Sequence, residues 1–293
     1  MALSQQEIQE AIRKLELFTH ELVNSNLVGG YKSAFKGKGL EFEGFREYTS
    51  SDDAALIDWK ASARSEKTII REFAEERNLT VFFLLDSSAT MDFGTSGKTK
   101  YEYAAQMVAA LSYAVLNVGD SAGLGIYSDG IREQMLPTSG VSQYYHMLNR
   151  ISSSPLGSKS NLKRALEQIL LSIPRGSFII IVSDFLGVGT EWKDELAICA
   201  RKFDVVGLCV RDERDMRFPE GVGEVLLADP YSERKVAIDV DAVKPAFERE
   251  AAAQLSYVKR SFEQSGADFL YLETGGSFVD PLIQFFIRRN ARR

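Results

Sequence analysis

VFFLLDSSATMDFG, residues 81–94, joins a continuous apolar run to a cluster of oxygen-bearing side chains. The run lacks alternating polar residues, which is typical of a strand that is buried on both faces of a sheet. Asp86, Ser88 and Thr90 follow it at every second position. Because alternate side chains of an extended segment point the same way, we expect these three residues to converge on one ligand.

Similar apolar runs recur along residues 79–293, separated by segments of helical periodicity; examples are FIIIVSDF (178–185) and FDVVGLCV (203–210). This alternation predicts an α/β fold, a doubly wound and mostly parallel sheet of Rossmann type followed by C-terminal helices. Residues 224–239 could add short strands near the edge of that sheet. Residues 1–78 predict an N-terminal helix, over about 4–25, and an irregular or β attachment packed on the main domain.

The composition narrows the classes of function. Thirty-five basic and 41 acidic residues give a formal net charge of −6, so the chain offers no basic region for nucleic acid. Two cysteines without a CxxC motif argue against a zinc site or a disulfide framework. No apolar run approaches the length of a membrane span, and we expect a cytoplasmic location.

Further oxygen donors stand at two other positions along the predicted domain. Asp184 ends the apolar run of 178–183, and Ser160 lies in KSNLKRAL, just before a predicted helix, with Ser158 close enough to leave the register open. A single Asp or Ser at a strand end is often turn chemistry, but their joint occurrence favours a site. Hydroxyl and carboxylate oxygens suit Mg²⁺, Mn²⁺ or Ca²⁺.

The set Asp86, Ser88, Thr90, Ser160 and Asp184 resembles the metal-ion-dependent adhesion site of von Willebrand factor A domains, with Thr90 and Ser160 replacing a Ser and a Thr. The resemblance implies that the hydroxyls bind the cation directly and that the carboxylates act through water or in alternating contact. It also implies an open coordination position, which an Asp or Glu of a partner protein fills. The implied function is protein binding without catalysis.

Residues 37–78, GKGLEFEGFREYTSSDDAALIDWKASARSEKTIIREFAEERN, resemble the signature of DUF58 proteins, which join this segment to a von Willebrand A-like domain. The resemblance implies a MoxR-type AAA+ ATPase as partner and a chaperone-like role in protein assembly or maturation. The segment's prominent residues form either a structural network or part of a partner surface; they are Arg46, Asp52, Asp53, Asp58, Trp59, Arg64 and Arg71.

Catalytic alternatives are weaker. The strand followed by D-x-S-x-T also resembles the haloacid-dehalogenase phosphotransferases, in which Asp86 would be the nucleophile of a Mg²⁺-dependent phosphatase. Ser88 stands where that chemistry needs a second, proton-donating acid, and a hydroxyl is a poor general acid at neutral pH. Neither a G-x-S-x-G nucleophile motif nor a P-loop is present in the sequence.

Overall fold

The computed structural model describes residues 42–49, 52, 54, 57–65, 67–73, 79–157, 159–232 and 234–292, with the backbone alone at 42–44 and 71–73. The helix predicted at 4–25 lies outside the described residues, as do Asp53 and Ser158.

The strands of the described residues fall into one large sheet and two small ones. The large sheet contains β3 (Thr80–Asp86), β4 (Ser121–Tyr127), β5 (Ile131–Thr138), β6 (Phe178–Ser183), β7 (Asp204–Arg211) and β10 (Asp268–Glu273). The first small sheet pairs β1 (Phe42–Glu47) with β2 (Ile69–Phe73), and the second pairs β8 (Glu224–Ala228) with β9 (Lys235–Asp239).

Helices cover both faces of the large sheet. In chain order they are α1 (Trp59–Ser65), α2 (Lys100–Asn117), α3 (Val141–Ser153), α4 (Leu162–Ser172), α5 (Lys193–Lys202), α6 (Val240–Gln264) and α7 (Val279–Asn290). Helices α2, α3 and α7 share one hydrophobic cluster with the sheet, and α4, α5 and α6 share the other. The predicted doubly wound α/β fold is therefore confirmed.

Strand order explains why the large sheet has a natural binding edge. The order is β10-β7-β6-β3-β4-β5, and every neighbouring pair is parallel except β4 with β5. From β3 the chain proceeds to β4 on one side and later returns to β6 on the other side. The sheet therefore reverses its winding between β3 and β6, and side chains beyond the carboxyl ends of such strands line a crevice.

The central strand β3 is built as its sequence requires. Phe83 and Leu85 join one core cluster, whereas Phe82 and Leu84 join the other, and all four are fully buried. The Phe82 ring packs on strand β4 at Gly125, where an added Cβ would lie 2.9 Å from the ring. Close packing on both faces fixes the direction of the strand and hence the place where Asp86 emerges.

Two parts of the sequence prediction need refinement. Strands β8 and β9, within the predicted 224–239 segment, pair with each other in a separate antiparallel hairpin and do not extend the large sheet. The attachment is more regular than its sequence indicates, since helix α1 and the antiparallel pair of β1 and β2 occupy its described part. Its packing on the main domain stays a prediction.

Among the described helices, none combines the length and the apolar character that crossing a lipid bilayer would require.

Candidate metal centre

Asp86, the last residue of β3, organises the polar crevice at the switch point. Its Oδ1 accepts a hydrogen bond from the backbone N–H of Ser88 at 2.8 Å. Its Oδ2 accepts from the hydroxyls of Ser183 at 2.6 Å, Ser160 at 3.0 Å and Tyr127 at 3.3 Å. Burial and the neighbouring charge of Asp184 raise the pKa of Asp86 to about 6, although the bonds from Ser183 and Ser88 oppose this rise.

A tight turn, rather than an extended segment, brings the first three donors together. Ser88 is extended, with φ −67° and ψ 165°, but residues 89–91 form a single 3₁₀ turn in which the N–H of Met91 donates to the carbonyl of Ser88. This turn places the hydroxyl oxygens of Ser88 and Thr90 3.2 Å apart. The expected convergence therefore occurs, but the extended-loop explanation for it is wrong.

Asp184 follows β6 and completes the second side of the crevice. Its Oδ1 accepts from the Thr90 hydroxyl at 3.3 Å and from the backbone N–H of Leu186 at 2.8 Å. The next residue, Phe185, has φ +53° and is the one non-glycine residue of the described chain with a positive φ. Its buried ring packs on Trp192 and Phe262, which holds this strained backbone in place beside the site.

Ser160 reaches the crevice from the loop that precedes α4. The N–H of Asn161 donates to the carbonyl of Ser128, beyond β4, at 2.6 Å, and the Asn161 side chain caps the helix by accepting from the N–H of Arg164. These contacts fix the backbone directly after Ser160 and hence the position of its hydroxyl. Of the two serines that the sequence leaves open, Ser160 therefore lies at the crevice, whereas Ser158 is outside the described residues.

A buried lysine lies behind the oxygen donors. The Lys100 ammonium contacts Asp184 Oδ2 at 2.7 Å and Asp215 Oδ2 at 2.8 Å, and the Lys100 side chain is 1% exposed. Burial opposes its charged form, but the two carboxylates outweigh that effect and raise the pKa of Lys100. Its ammonium therefore neutralises part of the negative charge that Asp86 and Asp184 would otherwise accumulate.

The donor spacing fits a small, hard cation. Adjacent oxygens around an octahedral ion with metal–oxygen distances of about 2.1 Å lie roughly 3.0 Å apart. The pairs Ser88–Thr90, Ser160–Asp86 and Thr90–Asp184 are separated by 3.2, 3.0 and 3.3 Å. Within the described chain, no cluster of three or more His, Cys, Asp or Glu side chains could hold a metal, so any site here depends on hydroxyl ligands.

The structure describes two local contacts among the residues singled out in the attachment, and their assignment to a structural network or a partner surface stays a prediction. Arg46 makes two hydrogen bonds of 2.7 Å to the Asp52 carboxylate, which also accepts from Thr49. Asp58 accepts from the N–H groups of Lys60 and Ala61 at the start of α1. Three other members are not part of that contact: Trp59 is 71% exposed, Arg64 is exposed without an ion pair in the described segment, and Arg71 is described by its backbone alone.

Sequence reasoning missed four residues around the crevice: Lys100, Tyr127, Ser183 and Tyr231. One signal was available for Lys100, because a cation at the first residue of a helix opposes the helix dipole and requires a specific partner. Ser183 directly precedes Asp184 and could have been considered with it. Nothing in the local sequence marks Tyr127 or Tyr231, which come from distant parts of the chain.

Comparison with known proteins identifies relatives over most of the chain. The family model described as "Protein of unknown function DUF58" matches residues 44–257. An uncharacterized protein of Mycobacterium tuberculosis is 30% identical over 286 residues, which cover 95% of this chain and 89% of that protein.

Two solved structures are similar at a lower level. BatB from Bacteroides thetaiotaomicron covers 74% of this chain and 100% of its own, with 15% identity and a TM-score of 0.48. A von Willebrand factor type A protein from Catenulispora acidiphila covers 73% of this chain and 43% of its own, with 11% identity and a TM-score of 0.41. At TM-scores below 0.5, neither similarity bears on what this chain binds.

Proposed function

Since this chain belongs to the DUF58 family, we propose that it is a protein-interaction module that holds a divalent cation and uses it to bind an acidic residue of another protein. The cation would be Mg²⁺, or Mn²⁺ or Ca²⁺ in its place. Its direct ligands would be the hydroxyls of Ser88, Thr90 and Ser160, with Asp86 and Asp184 acting through water or in alternating contact.

The observation that carries this proposal is the convergence of hydroxyl and carboxylate oxygens from three separate loops at the switch point. Their separations of 3.0–3.3 Å match the edges of a small coordination polyhedron. Asp86 and Asp184 are fully buried, so the crevice holds two carboxylates, and the Lys100 ammonium, which contacts Asp184, balances their charge in part. A buried pair of like charges favours the uptake of a cation.

A bound divalent ion supplies positive charge that attracts a partner carboxylate. The residues that hold the ion determine how much positive charge it keeps for that attraction. Three neutral hydroxyl ligands would leave more positive charge on it than three carboxylates would. Asp86 and Asp184 would orient those hydroxyls, since each carboxylate already accepts a hydrogen bond from one of them. The arrangement suits an acid-specific contact between proteins.

The residues around the crevice offer little for bond-breaking chemistry. Both oxygens of Asp86 are occupied by hydrogen bonds and its side chain is fully buried, which disfavours it as the nucleophile of a phosphatase. Cys209 lies near Asp184, but burial raises the pKa of its thiol to about 12, so it stays protonated and unreactive. We therefore favour binding without catalysis.

The partner class forms part of the proposal. The resemblance to DUF58 proteins supports a MoxR-type AAA+ ATPase as the protein that presents the Asp or Glu, in the assembly or maturation of other proteins. A cytoplasmic location would fit this partner and agrees with two buried, free cysteines. The exposed indole of Trp59 in the attachment is available for a second contact with the same partner.

Calorimetry and partner capture test the proposal together. Wild-type protein and Asp86→Asn are titrated with Mg²⁺ and Mn²⁺, and both are immobilised to capture a purified MoxR-type ATPase from the same organism. We expect saturable metal binding by the wild type alone, with capture that is lost in EDTA and in Asp86→Asn. Equal capture under all conditions would indicate a metal-independent scaffold, and turnover of p-nitrophenyl phosphate would revive the phosphatase alternative.

A further inference from the structure

The candidate metal site is largely closed in this conformation of the chain. Asp86, Ser88 and Asp184 are fully buried and Ser160 is 7% exposed, whereas Thr90 is half-buried. A carboxylate that arrives from another protein cannot reach these atoms unless something moves. The segment that covers the crevice therefore determines when the site can bind.

Tyr231 is the side chain that lies over this crevice. Its hydroxyl oxygen is buried and has no hydrogen-bond partner in the part of the chain that the structure describes. The oxygen lies against Gly187, three residues after Asp184, where an added Cβ would be only 2.7 Å away. Burial and the charge of Asp184 raise the pKa of Tyr231, and the Thr90 hydroxyl opposes this rise.

An unpaired buried hydroxyl costs free energy unless it gains a partner in another state. The phenol oxygen of Tyr231 is a possible metal ligand that lies against the backbone of Gly187, in the loop that follows Asp184. A cation held by those donors would provide the missing partner. The unpaired phenol is therefore explained if it occupies the coordination position that the five proposed ligands would leave free.

The segment that carries Tyr231 is suited to movement. It is the turn between β8 and β9, two strands whose residues are mostly exposed. The turn is held together internally, because Asp229 accepts from the N–H of Tyr231 at 3.0 Å and from the hydroxyl of Ser232 at 2.6 Å. A hairpin whose strands bury few side chains can swing away without unfolding the core.

Positive charge lies where the turn meets the crevice. The Lys159 ammonium is 5.7 Å from the centre of the Tyr231 ring, in the same loop as Ser160. If the ring moved away, this ammonium would stand beside the open face of the site. An acidic segment would gain both the metal contact and this cation, which would compensate for the displaced phenol.

We propose that Tyr231 is the chain's own occupant of the open face of the metal site, so that an acidic segment binds by displacing the β8–β9 turn. This inference rests on the proposed function, because it assigns a regulatory residue to that same site. It makes the interaction competitive: the hairpin and the partner's Asp or Glu exclude one another.

Water-proton relaxation with Mn²⁺ tests the inference without the natural partner. The relaxation enhancement reports whether exchangeable water reaches the bound ion, and the amount of free Mn²⁺ gives the affinity. The proteins compared are the wild type, Tyr231→Ala, Asp229→Ala, which loosens the turn, and Asp86→Asn. Tyr145→Ala removes a half-exposed tyrosine from α3 as the matched control. Acetate is then titrated into each Mn²⁺-loaded protein.

The expected outcome is saturable Mn²⁺ binding in every protein but Asp86→Asn, with at least a twofold greater enhancement per bound ion and at least threefold tighter acetate binding in Tyr231→Ala. In Asp229→Ala, the relaxation enhancement and the acetate affinity should rise by less than in Tyr231→Ala. Agreement between two different substitutions would show that neither result comes from a folding defect. Equal enhancement and equal acetate affinity in Tyr231→Ala and the wild type would overturn the inference alone. Failure of the wild type to bind Mn²⁺, or undiminished binding by Asp86→Asn, would overturn the proposed function and the inference with it.

Discussion

Replacing Asp86 with Asn separates the effect of the metal from that of the fold. The amide is nearly the same size as the carboxylate, and its oxygen can still accept from the N–H of Ser88. Its NH₂ group would face the hydroxyls of Ser183, Ser160 and Tyr127 and can donate to two of them, once those hydroxyls rotate to accept. Most polar contacts of the crevice therefore survive, while its negative charge is lost.

The loss of charge and the loss of metal binding should change stability by similar amounts. In the absence of metal, a shift of the Asp86 pKa from 3.8 to about 6 means that its charge lowers the free energy of unfolding at neutral pH, by about 3 kcal/mol at 1.36 kcal/mol per pKa unit. Asp86→Asn removes this cost and should be no less stable than the wild type. Saturating metal, at about 100 times its dissociation constant, adds about 2.7 kcal/mol to the wild type alone.

Thermal unfolding in EDTA and in excess Mg²⁺ measures these quantities. For a domain of this size, about 2.7 kcal/mol corresponds to a Tm increase of roughly 5–10 °C, which we expect for the wild type and not for Asp86→Asn. Asp120→Asn is the matched control, because Asp120 is also buried and accepts from the N–H of Leu79 at 3.0 Å, but at the opposite edge of the sheet. The reasoning is refuted if Mg²⁺ raises the Tm of Asp86→Asn as much as that of the wild type.

Three further predictions use simpler measurements. Ser160→Ala should weaken Mn²⁺ binding at least about tenfold in calorimetry, through loss of a ligand, and should lower the free energy of unfolding by only about 1 kcal/mol. Ser158→Ala should leave Mn²⁺ binding unchanged. Lys100→Met should lower the free energy of urea unfolding by about 3–5 kcal/mol, since it leaves the buried carboxylate of Asp184 and the half-buried carboxylate of Asp215 without their ammonium. Mg²⁺ should restore part of this loss, and full stability in EDTA would contradict the ion-pair assignment. The folded-state pKa of Asp86 lies above its unfolded value, so the metal-free wild type should lose stability relative to Asp86→Asn as pH rises from about 4 to about 6. If the difference in unfolding free energy between the two proteins does not change over this range, the charge of Asp86 carries no cost.

The local sequence was enough to predict the strands and the edge that carries the site. The run at 81–85 is apolar at every position, so a strand there must be buried on both faces, and helices must cover them. Asp86 and Asp184 each end such a run, which places both at the carboxyl edge of a parallel sheet. These inferences succeed because strand burial and strand direction depend on the residues of each segment and its immediate connections.

Other features depend on contacts between residues far apart in the chain, and only the tertiary structure decided them. Thr90 joins the donors through a 3₁₀ turn, which its sequence did not indicate. The pairing of β8 with β9 could not be separated from edge extension of the large sheet, because an apolar pattern shows that a strand exists but not which strand is its neighbour. The same reason applies to the ion pair of Lys100 with Asp184 and to the position of Tyr231 over the crevice. The sequence gives the chemistry of each side chain, but the packing of the fold decides which side chains become neighbours.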